Sequence, residues 1–341
     1  DETKSSIIFQ GKEYNAKIKL HGVSKDNWIN DKKSFSIKTS KEKLINNIRR
    51  FKLIILEEQS IQTILSFYIS NLMNYIKVET GIVRLRINGV DQGLYLFEEA
   101  LANELLEKNK LTGVDVIKPY DEWTHQYNTG HLTLFTSETS NQLIQNYSNK
   151  KVGQMIRYKN MMNAKNFDEL SNYIDIDKFA KFEAMRIIFA SKHAIAGDNL
   201  KLLYDTTNGK FSPYFRMEGY LNKLPKTELS NTFDRGINSW FGYDYDIKLF
   251  PILNQNNQFR FIRNKYLFEI LKKKESILEY YEKIYSEIIP LIKIDTTNNY
   301  PIRWYEYQLN ESNKNLLFNF DYIEKYLNYS KSYSDLIKIS D

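Results

Sequence analysis

The 341-residue sequence contains no cysteine. Disulfide bonds, thiolate nucleophiles and zinc sites built on cysteine are therefore excluded. The absence says little about the compartment, because a chain without thiols is stable in either redox environment. The chain begins at Asp1 without a methionine, a start that fits a processed secreted protein as well as a truncated chain.

Glycine, proline and long apolar runs are also scarce. With 13 Gly and 6 Pro, the chain has too few flexible residues for long linkers or a glycine-rich repeat array. No stretch reaches the ~20 apolar residues that a transmembrane helix requires, so we expect no membrane span. The net charge of +6 is dispersed, which predicts no nucleic-acid binding, because nucleic-acid-binding proteins concentrate their basic residues. The charge is compatible with a mildly positive cleft that binds a nucleotide or an acidic partner.

Aromatic residues, by contrast, are abundant, with 25 Tyr and 20 Phe. The composition is 42% hydrophobic, and the length suffices for a large core in one two-lobed domain or two ordinary ones. We assign most of the aromatic side chains to core packing. An exposed aromatic groove for glycans is the minor alternative.

The first third of the sequence predicts antiparallel strands. Residues 16–21 and 33–40 alternate apolar and polar side chains, which is typical of half-buried strands. Residues 83–87 repeat this period of two, and Asn88 with Gly89 then supplies the positive φ angles of a tight hairpin turn. The pattern predicts a β-hairpin centred on these two residues.

Helical spacing dominates from about residue 140 onward. Residues 166–191 predict a helix with Asp175 and Asp177 near its start, where negative charge suits the helix dipole. A strand–turn–strand segment follows, and long amphipathic helices fill the last third. Strands followed by helices predict an α+β fold, with a sheet-rich lobe at residues 1–140 and a helical lobe at residues 141–341.

Seven stretches, taken in their order along the chain, carry a family resemblance. They are IKLHGVSKDNWINDKKSFSIK, VRLRINGVDQGLYLFEEAL, GVDVIKPYDEW, YIDIDKFAKFEAMRIIFA, NLKLLYDTTNGKF, LFPILNQNNQFRFIRNKYLFEIL and LLFNFDYIEKYLNYSKSYSDLI. In these stretches the chain resembles the CotH spore-coat kinase family, secreted or surface-associated relatives of the protein-kinase fold. The resemblance implies a two-lobed atypical kinase-like fold with an antiparallel-sheet N-lobe and a mainly helical C-lobe. It also implies ATP and Mg²⁺ or Mn²⁺ as cofactors.

The resemblance also assigns roles to individual residues. Lys118 would hold the α- and β-phosphates of the nucleotide, and Glu99 would position Lys118, as the Lys–Glu pair does in protein kinases. Lys33 and Lys38 would make further phosphate contacts. Asn199 would be the metal-ligating Asn of the catalytic segment.

The chain departs from the family pattern at two carboxylates. The family has an Asp near the position of His193, which makes His193 a candidate general base in its place. The family also has a metal-binding Asp where this chain has Arg216 or Met217. Two nearby carboxylates can replace the missing ones, because Mg²⁺ accepts any suitably placed oxygen ligands. Asp198 is the candidate catalytic and metal-binding residue, and Glu218 is a second candidate metal ligand.

Two functional hypotheses follow from this departure. In the first, Asp198, Asn199 and Glu218 hold one metal ion, and the chain transfers the γ-phosphate of ATP to a Ser or Thr hydroxyl of a protein. In the second, the chain is a degenerate pseudokinase that acts as a binding or scaffold module on a cell surface or spore-like coat. If the Arg216 guanidinium occupies the place of the metal ion, the second hypothesis is favoured.

Overall fold

The computed structural model places the chain in two compact units. One unit contains residues 1–112 and 276–313, and the other contains residues 113–275 and 314–341. The residues that the structure describes are 2–22, 31–57, 59–117, 152–191, 193–195, 199–217, 219–224, 249–298 and 300–329.

Nine strands and nine α-helices form the described part of the chain. The strands are β1 (Thr3–Phe9), β2 (Lys12–Leu20), β3 (Phe35–Thr39), β4 (Arg50–Ile55), β5 (Thr80–Ile87), β6 (Val90–Glu99), β7 (Val114–Ile117), β8 (Lys201–Asp205) and β9 (Lys210–Tyr214). The helices are α1 (Ser60–Leu72), α2 (Asn103–Lys108), α3 (Val152–Met162), α4 (Phe167–Ser171), α5 (Ile176–Phe189), α6 (Leu249–Gln255), α7 (Asn257–Leu271), α8 (Lys274–Ile294) and α9 (Ile302–Tyr329). A short 3-10 helix spans His193–Ile195.

The first unit is built on a six-stranded antiparallel sheet. Its strand order is β1-β2-β3-β4-β6-β5, so the hairpin β5–β6 joins the sheet through β6. The predicted strands and the hairpin turn are confirmed, since Asn88 and Gly89 have φ angles of 51° and 81°. Strand β4 was not predicted, although its residues also alternate between buried and partly exposed positions.

One face of this sheet forms a hydrophobic core. The alternation of strand side chains places Ala16, Ile37, Phe51 and Leu53 in one buried cluster. Tyr95 of strand β6 joins them and is completely buried. Each apolar side chain buried in this way contributes about 1.5–3 kcal/mol relative to an exposed one.

Helices α8 and α9 contribute their residues 276–313 to the same unit. The Gln62 side chain donates to the Ser312 hydroxyl at 2.7 Å, and both residues are buried. The Tyr305 hydroxyl donates to the Leu56 carbonyl at 3.2 Å, which joins α9 to the end of β4. Polar contacts between buried groups require matched partners, so these bonds fix how the helices pack on the sheet.

A buried ion pair joins the loop before β3 to the end of α8. Lys32 Nζ lies 3.5 Å from Asp295 Oδ2, and the two side chains are 5% and 0% exposed. The same carboxylate accepts hydrogen bonds from the backbone N–H groups of Leu94 and Thr297 at 2.8 and 2.9 Å. Burial opposes ionisation of Asp295, but these donors and Lys32 outweigh it and hold its pKa below the usual range.

The close approach of Asp295 to β6 depends on a glycine. Gly93 has a φ of +76°, and a Cβ at this position would overlap the Thr297 hydroxyl and the Asp295 carboxylate. A β-bulge lies beside it, because the register shifts between Leu85 and Arg86 on the partner strand. Glycine is required here for both its backbone conformation and its lack of a side chain.

The second unit contains a smaller antiparallel sheet with the strand order β7-β8-β9. Strand β7 lies within the sheet-rich lobe predicted at residues 1–140, and it pairs with β8. The boundary predicted at residues 140/141 falls among residues outside the described part, and it stays a prediction.

Helix α5 is the central element of the second unit. The Asp175 side chain accepts a hydrogen bond from the Lys178 backbone N–H and thereby caps the predicted helix start. Ten residues from Phe179 to Phe189 are buried, so the helix is surrounded on all sides. Ala190 ends it in a left-handed conformation, with a φ of 45°.

The predicted α+β class is confirmed. An antiparallel sheet occupies the N-terminal part, and helices dominate the C-terminal part, which is consistent with a two-lobed kinase-like fold. Within the described ranges, no helix combines the length and the apolar character that crossing a bilayer requires.

We expect substitution of Gly93 by Ala to destabilise the protein strongly. Gly89→Ala is the matched control, because Gly89 also has a positive φ angle but has open space around its Cα. The free energy of unfolding of the control should fall by about 1–2 kcal/mol from backbone strain alone. That of Gly93→Ala should fall by about 1–3 kcal/mol more, because the added methyl group overpacks the site. Urea denaturation of both variants measures the difference, and equal losses would contradict the steric argument.

Candidate functional site

Three strand ends meet at one end of the small sheet. Ile117, the last residue of β7, pairs with Leu202 of β8. Lys201, the first residue of β8, pairs with Tyr214, the last residue of β9. At this end of the sheet, therefore, the chain leaves β7, enters β8 and leaves β9.

The predicted site residues adjoin these strand ends in the sequence. Lys118 directly follows β7, Asp198 and Asn199 precede β8, and Glu218 lies four residues after β9. Asn199 is half-buried. Lys118, Asp198, Glu218 and the side chain of His193 lie outside the described residues, so the side-chain geometry of the site stays a prediction.

The last turns of helix α5 hold both chain segments that flank this site. The Arg186 guanidinium donates to the Ser191 carbonyl at 2.6 Å, two residues before His193. The Asn222 backbone N–H donates to the Phe189 carbonyl at 3.0 Å, on the segment that follows β9. One helix end thus fixes the start of the 191–199 segment and the course of the 219–224 segment.

A buried ion-pair network supports this helix end. Arg186 makes two hydrogen bonds of 2.6 and 2.7 Å to the Glu183 carboxylate, and both side chains are at most 2% exposed. The Asn254 amide donates to Glu183 Oε1 at 2.9 Å, and the Arg263 guanidinium donates to Asn254 Oδ1 at 2.7 Å. Burial raises the pKa of Glu183. The charge and hydrogen bonds of Arg186 oppose this effect, and Asn254 and Arg263 add to the opposition. The net result is a pKa below the usual value.

Helix α9 fixes the segment after β9 through one amide side chain. Asn319 donates to the carbonyls of Ile188 and Asn222 at 2.9 and 2.8 Å, and its oxygen accepts from the Leu224 backbone N–H at 2.7 Å. Asn319 is completely buried and uses both of its amide groups. It therefore ties residues 222–224 to α5.

The two residues at the position of the family's metal-binding Asp differ in burial. Met217 is 1% exposed and packs in the core beside Phe215. Arg216, between them, is half-buried. Neither side chain supplies an oxygen ligand, so the departure noted in the sequence persists in the structure.

The remaining predicted nucleotide-binding residues lie in the first unit. Glu99 is 3% exposed, and its carboxylate accepts from Lys108 Nζ at 2.9 Å and from the Glu79 backbone N–H at 3.1 Å. Lys38 lies on β3, directly between Lys17 of β2 and Arg50 of β4. Lys33 is half-buried and precedes β3.

The sequence did not predict the ion pairs Lys32–Asp295, Glu183–Arg186 and Lys52–Glu98. Glu183 and Arg186 are three residues apart inside an otherwise apolar helix, and this spacing was a signal that could have identified them. Lys52 and Glu98 pair across β4 and β6 at 2.6 Å, and Glu98 is 1% exposed. Their pairing became visible only with the strand register, because β4 was not predicted.

No group of three or more His, Asp or Glu residues within the described ranges is arranged to hold a metal ion. The proposed ligands Asp198 and Glu218 lie outside those ranges. The described part therefore leaves the predicted metal site untested.

We expect Glu183→Gln to destabilise the second unit by about 3–5 kcal/mol at pH 7, because it leaves Arg186 buried without its counter-charge. The folded-state pKa of Glu183 is lowered, so its contribution is present above the unfolded pKa of about 4.3 and is lost as the pH falls through the folded pKa. The gap in the free energy of unfolding between wild type and variant should accordingly stay nearly constant from pH 7 to about pH 5 and narrow as the pH falls below about 4.3.

The matched control for this measurement is Glu269→Gln. Glu269 also pairs with a basic residue three positions later, Lys272, but both side chains are exposed. The control should change the free energy of unfolding by at most about 1 kcal/mol. Urea denaturation across this pH range checks both variants, and a small effect of Glu183→Gln would contradict the proposed role of the network.

Comparisons with known proteins identify the family. No curated protein matches the chain. The family model described as "CotH kinase protein" matches residues 18–334, which include most of both units and every predicted site residue. The chain therefore belongs to the CotH kinase family.

Proposed function

We propose that the protein is an ATP-dependent phosphotransferase that transfers the γ-phosphate to a Ser or Thr hydroxyl of a protein. Family membership supports a kinase-like protein at the level of the family. The observation that carries the finer proposal is the meeting of three strand ends at one end of the small sheet. Lys118, Asp198, Asn199 and Glu218 all lie within four residues of those ends in the sequence.

The donor set fits a divalent cation. Asp198, Asn199 and Glu218 offer two carboxylates and an amide oxygen, the ligand types that Mg²⁺ and Mn²⁺ prefer. We propose that these three residues hold the metal ion. When bound, the ion would neutralise negative charge on the phosphates of the nucleotide.

The other residues act on the nucleotide and the acceptor. Lys118 binds phosphate oxygens through its ammonium group, and Lys33 and Lys38 are further phosphate contacts. His193 accepts the proton of the acceptor hydroxyl. Glu99 is the proposed partner of the nucleotide-binding lysine, and its present partner in the first unit is Lys108.

The proposed location is outside the cell, on a surface or coat. The CotH family is associated with the spore coat, and a surface or coat protein is accordingly the proposed phosphoryl acceptor.

A second candidate function is a nucleotide-binding scaffold without phosphotransfer. One observation favours it: the position of the family's metal-binding Asp is held by Arg216 or the core residue Met217. Loss of a metal-binding carboxylate weakens charge neutralisation on the transferred phosphate. Binding and transfer must therefore be measured separately.

Nucleotide binding should appear as an increase in melting temperature with ATP and Mg²⁺. Ligand at 100 times its Kd stabilises the folded state by about 2.7 kcal/mol. Lys118→Met should abolish the increase, whereas the control Lys210→Met, at the other end of the same sheet, should retain it. Absence of any shift at millimolar ATP would contradict both candidate functions.

Phosphotransfer should appear as transfer of label from γ-labelled ATP to a protein hydroxyl. Asn199→Ala and Glu218→Ala should each lower the rate at least about 100-fold, the cost typical of removing one group that stabilises charge in the transition state. Asn208→Ala, in the β8–β9 turn, is the matched control and should leave the rate unchanged. If ATP with Mg²⁺ raises the melting temperature of the wild type but no label is transferred, the result would favour the nucleotide-binding scaffold.

A further inference from the structure

A large polar cavity lies within the first unit. Its volume is about 820 Å³, and it is bordered by the segment before β3, the end of β4, the bulge of β6 and the loop between α8 and α9. Gln92 and Thr297 line it from the bulge and the loop. The Thr297 hydroxyl lies 3.0 Å from the Gln92 carbonyl oxygen, so the loop is fixed to the bulged strand.

The charge of the cavity wall disfavours anionic ligands. Three carboxylates line it, those of Asp31, Glu57 and Asp91, and the Arg84 guanidinium balances the charge of Asp91. The ammonium group of Lys32 also lines it but is paired with Asp295. A phosphate or sulfate group would meet the negative charge of Asp31 and Glu57 here, whereas ligand hydroxyl groups can donate to carboxylate oxygens, so the cavity accepts an uncharged ligand with many hydroxyl groups.

One acceptor of a residue that lines the cavity, Asn298, has no partner among the described residues. Asn298 Nδ2 donates to the carbonyls of Ile292 and Asp295 at 2.8 and 3.0 Å, which fixes the orientation of the amide. Asn298 Oδ1 is buried and accepts no hydrogen bond within the described part of the chain. A buried acceptor of this kind costs free energy unless a donor reaches it, and a ligand hydroxyl is a suitable donor.

A row of exposed aromatic rings continues from the cavity. Tyr300 lines the cavity, and its ring lies 6.3 Å from that of Trp304, which lies 6.3 Å from that of Tyr307. The three side chains are 45%, 37% and 58% exposed. Tyr300 also packs edge-on against the buried Tyr305, which holds the start of the row in place.

We propose that the cavity and this aromatic row form a binding site for an uncharged oligosaccharide. A pyranose ring has an apolar C–H face and a rim of hydroxyl groups. The C–H faces would stack on Trp304 and Tyr307, and the hydroxyl groups of a terminal sugar would bond to Gln92 and Asn298 in the cavity. The site is independent of the nucleotide site proposed above, because none of its residues belongs to the predicted nucleotide- or metal-binding set.

Exposed aromatic residues also mark protein interfaces. The polar cavity at the end of the row distinguishes a protein partner from a glycan. A protein hot spot places aromatic side chains in a desolvated apolar pocket, whereas this row ends at carboxylates, amides and a hydroxyl. The observations therefore favour a glycan.

The test is binding of cellohexaose, maltohexaose and chitohexaose to the full chain, measured by isothermal titration calorimetry. We expect at least one of these uncharged hexasaccharides to bind, and a sulfated heparin hexasaccharide not to bind. Trp304→Ala should weaken binding about tenfold or more, because it removes a stacking surface. Asn298→Ala should weaken it as well, since it removes the cavity acceptor.

The matched control is Leu317→Ala, which removes an equally exposed apolar side chain further along α9. It should leave the affinity unchanged, and unchanged melting curves should confirm that all variants are folded. The proposal is overturned if no hexasaccharide binds at millimolar concentration or if the heparin fragment binds instead. It is equally overturned if Trp304→Ala binds like the wild type, or if the row instead binds a protein without any glycan.

Discussion

The buried pair of Glu183 and Arg186 is the interaction on which the candidate site depends. Removing two charges from water costs several kcal/mol per ion, and only good geometry with further hydrogen bonds recovers that cost. Arg186 meets this condition because it bonds to both oxygens of Glu183 and also to the Ser191 carbonyl. Asn254 satisfies the carboxylate further, and Arg263 satisfies Asn254. The same guanidinium that balances a buried charge therefore fixes the first residue of the predicted catalytic segment.

The residues that hold the candidate site in place are different from the residues proposed to carry out its chemistry. The supporting residues lie on α5, α6, α7 and α9, where packing restricts their rotamers. The proposed metal ligands and Lys118 adjoin the ends of β7, β8 and β9, on connecting segments. Functional groups on connections that a rigid scaffold holds are a common solution, because the segments can vary while the scaffold persists. Replacement of the family's Asp at position 216 or 217 fits this separation, since the neighbouring core residue Phe215 is completely buried.

Local patterns predicted the elements that depend on local physics. The Asn88-Gly89 turn, the cap at Asp175 and the β8–β9 hairpin each follow from residues that are close in sequence. Long-range pairing was not predictable in this way. Strand β4 carries Arg50 and Lys52 on its partly exposed face and was missed, and the pairing of β7 with β8 was not predicted. The family resemblance selected the site residues, because no local pattern distinguishes Lys118 or Glu218 from other charged residues.

The bond between the Asp295 carboxylate and the Leu94 backbone N–H joins residues 201 positions apart. Since the first unit combines residues 1–112 with residues 276–313, its strands leave the ribosome long before the residues that complete them. At a synthesis rate of about 5–20 residues per second, the delay is on the order of ten seconds or more. Throughout that interval the β6 bulge lacks its carboxylate acceptor and the sheet lacks its covering helices. The nascent chain therefore exposes an unfinished sheet, and a chaperone or rapid export would have most effect at this stage of its biogenesis.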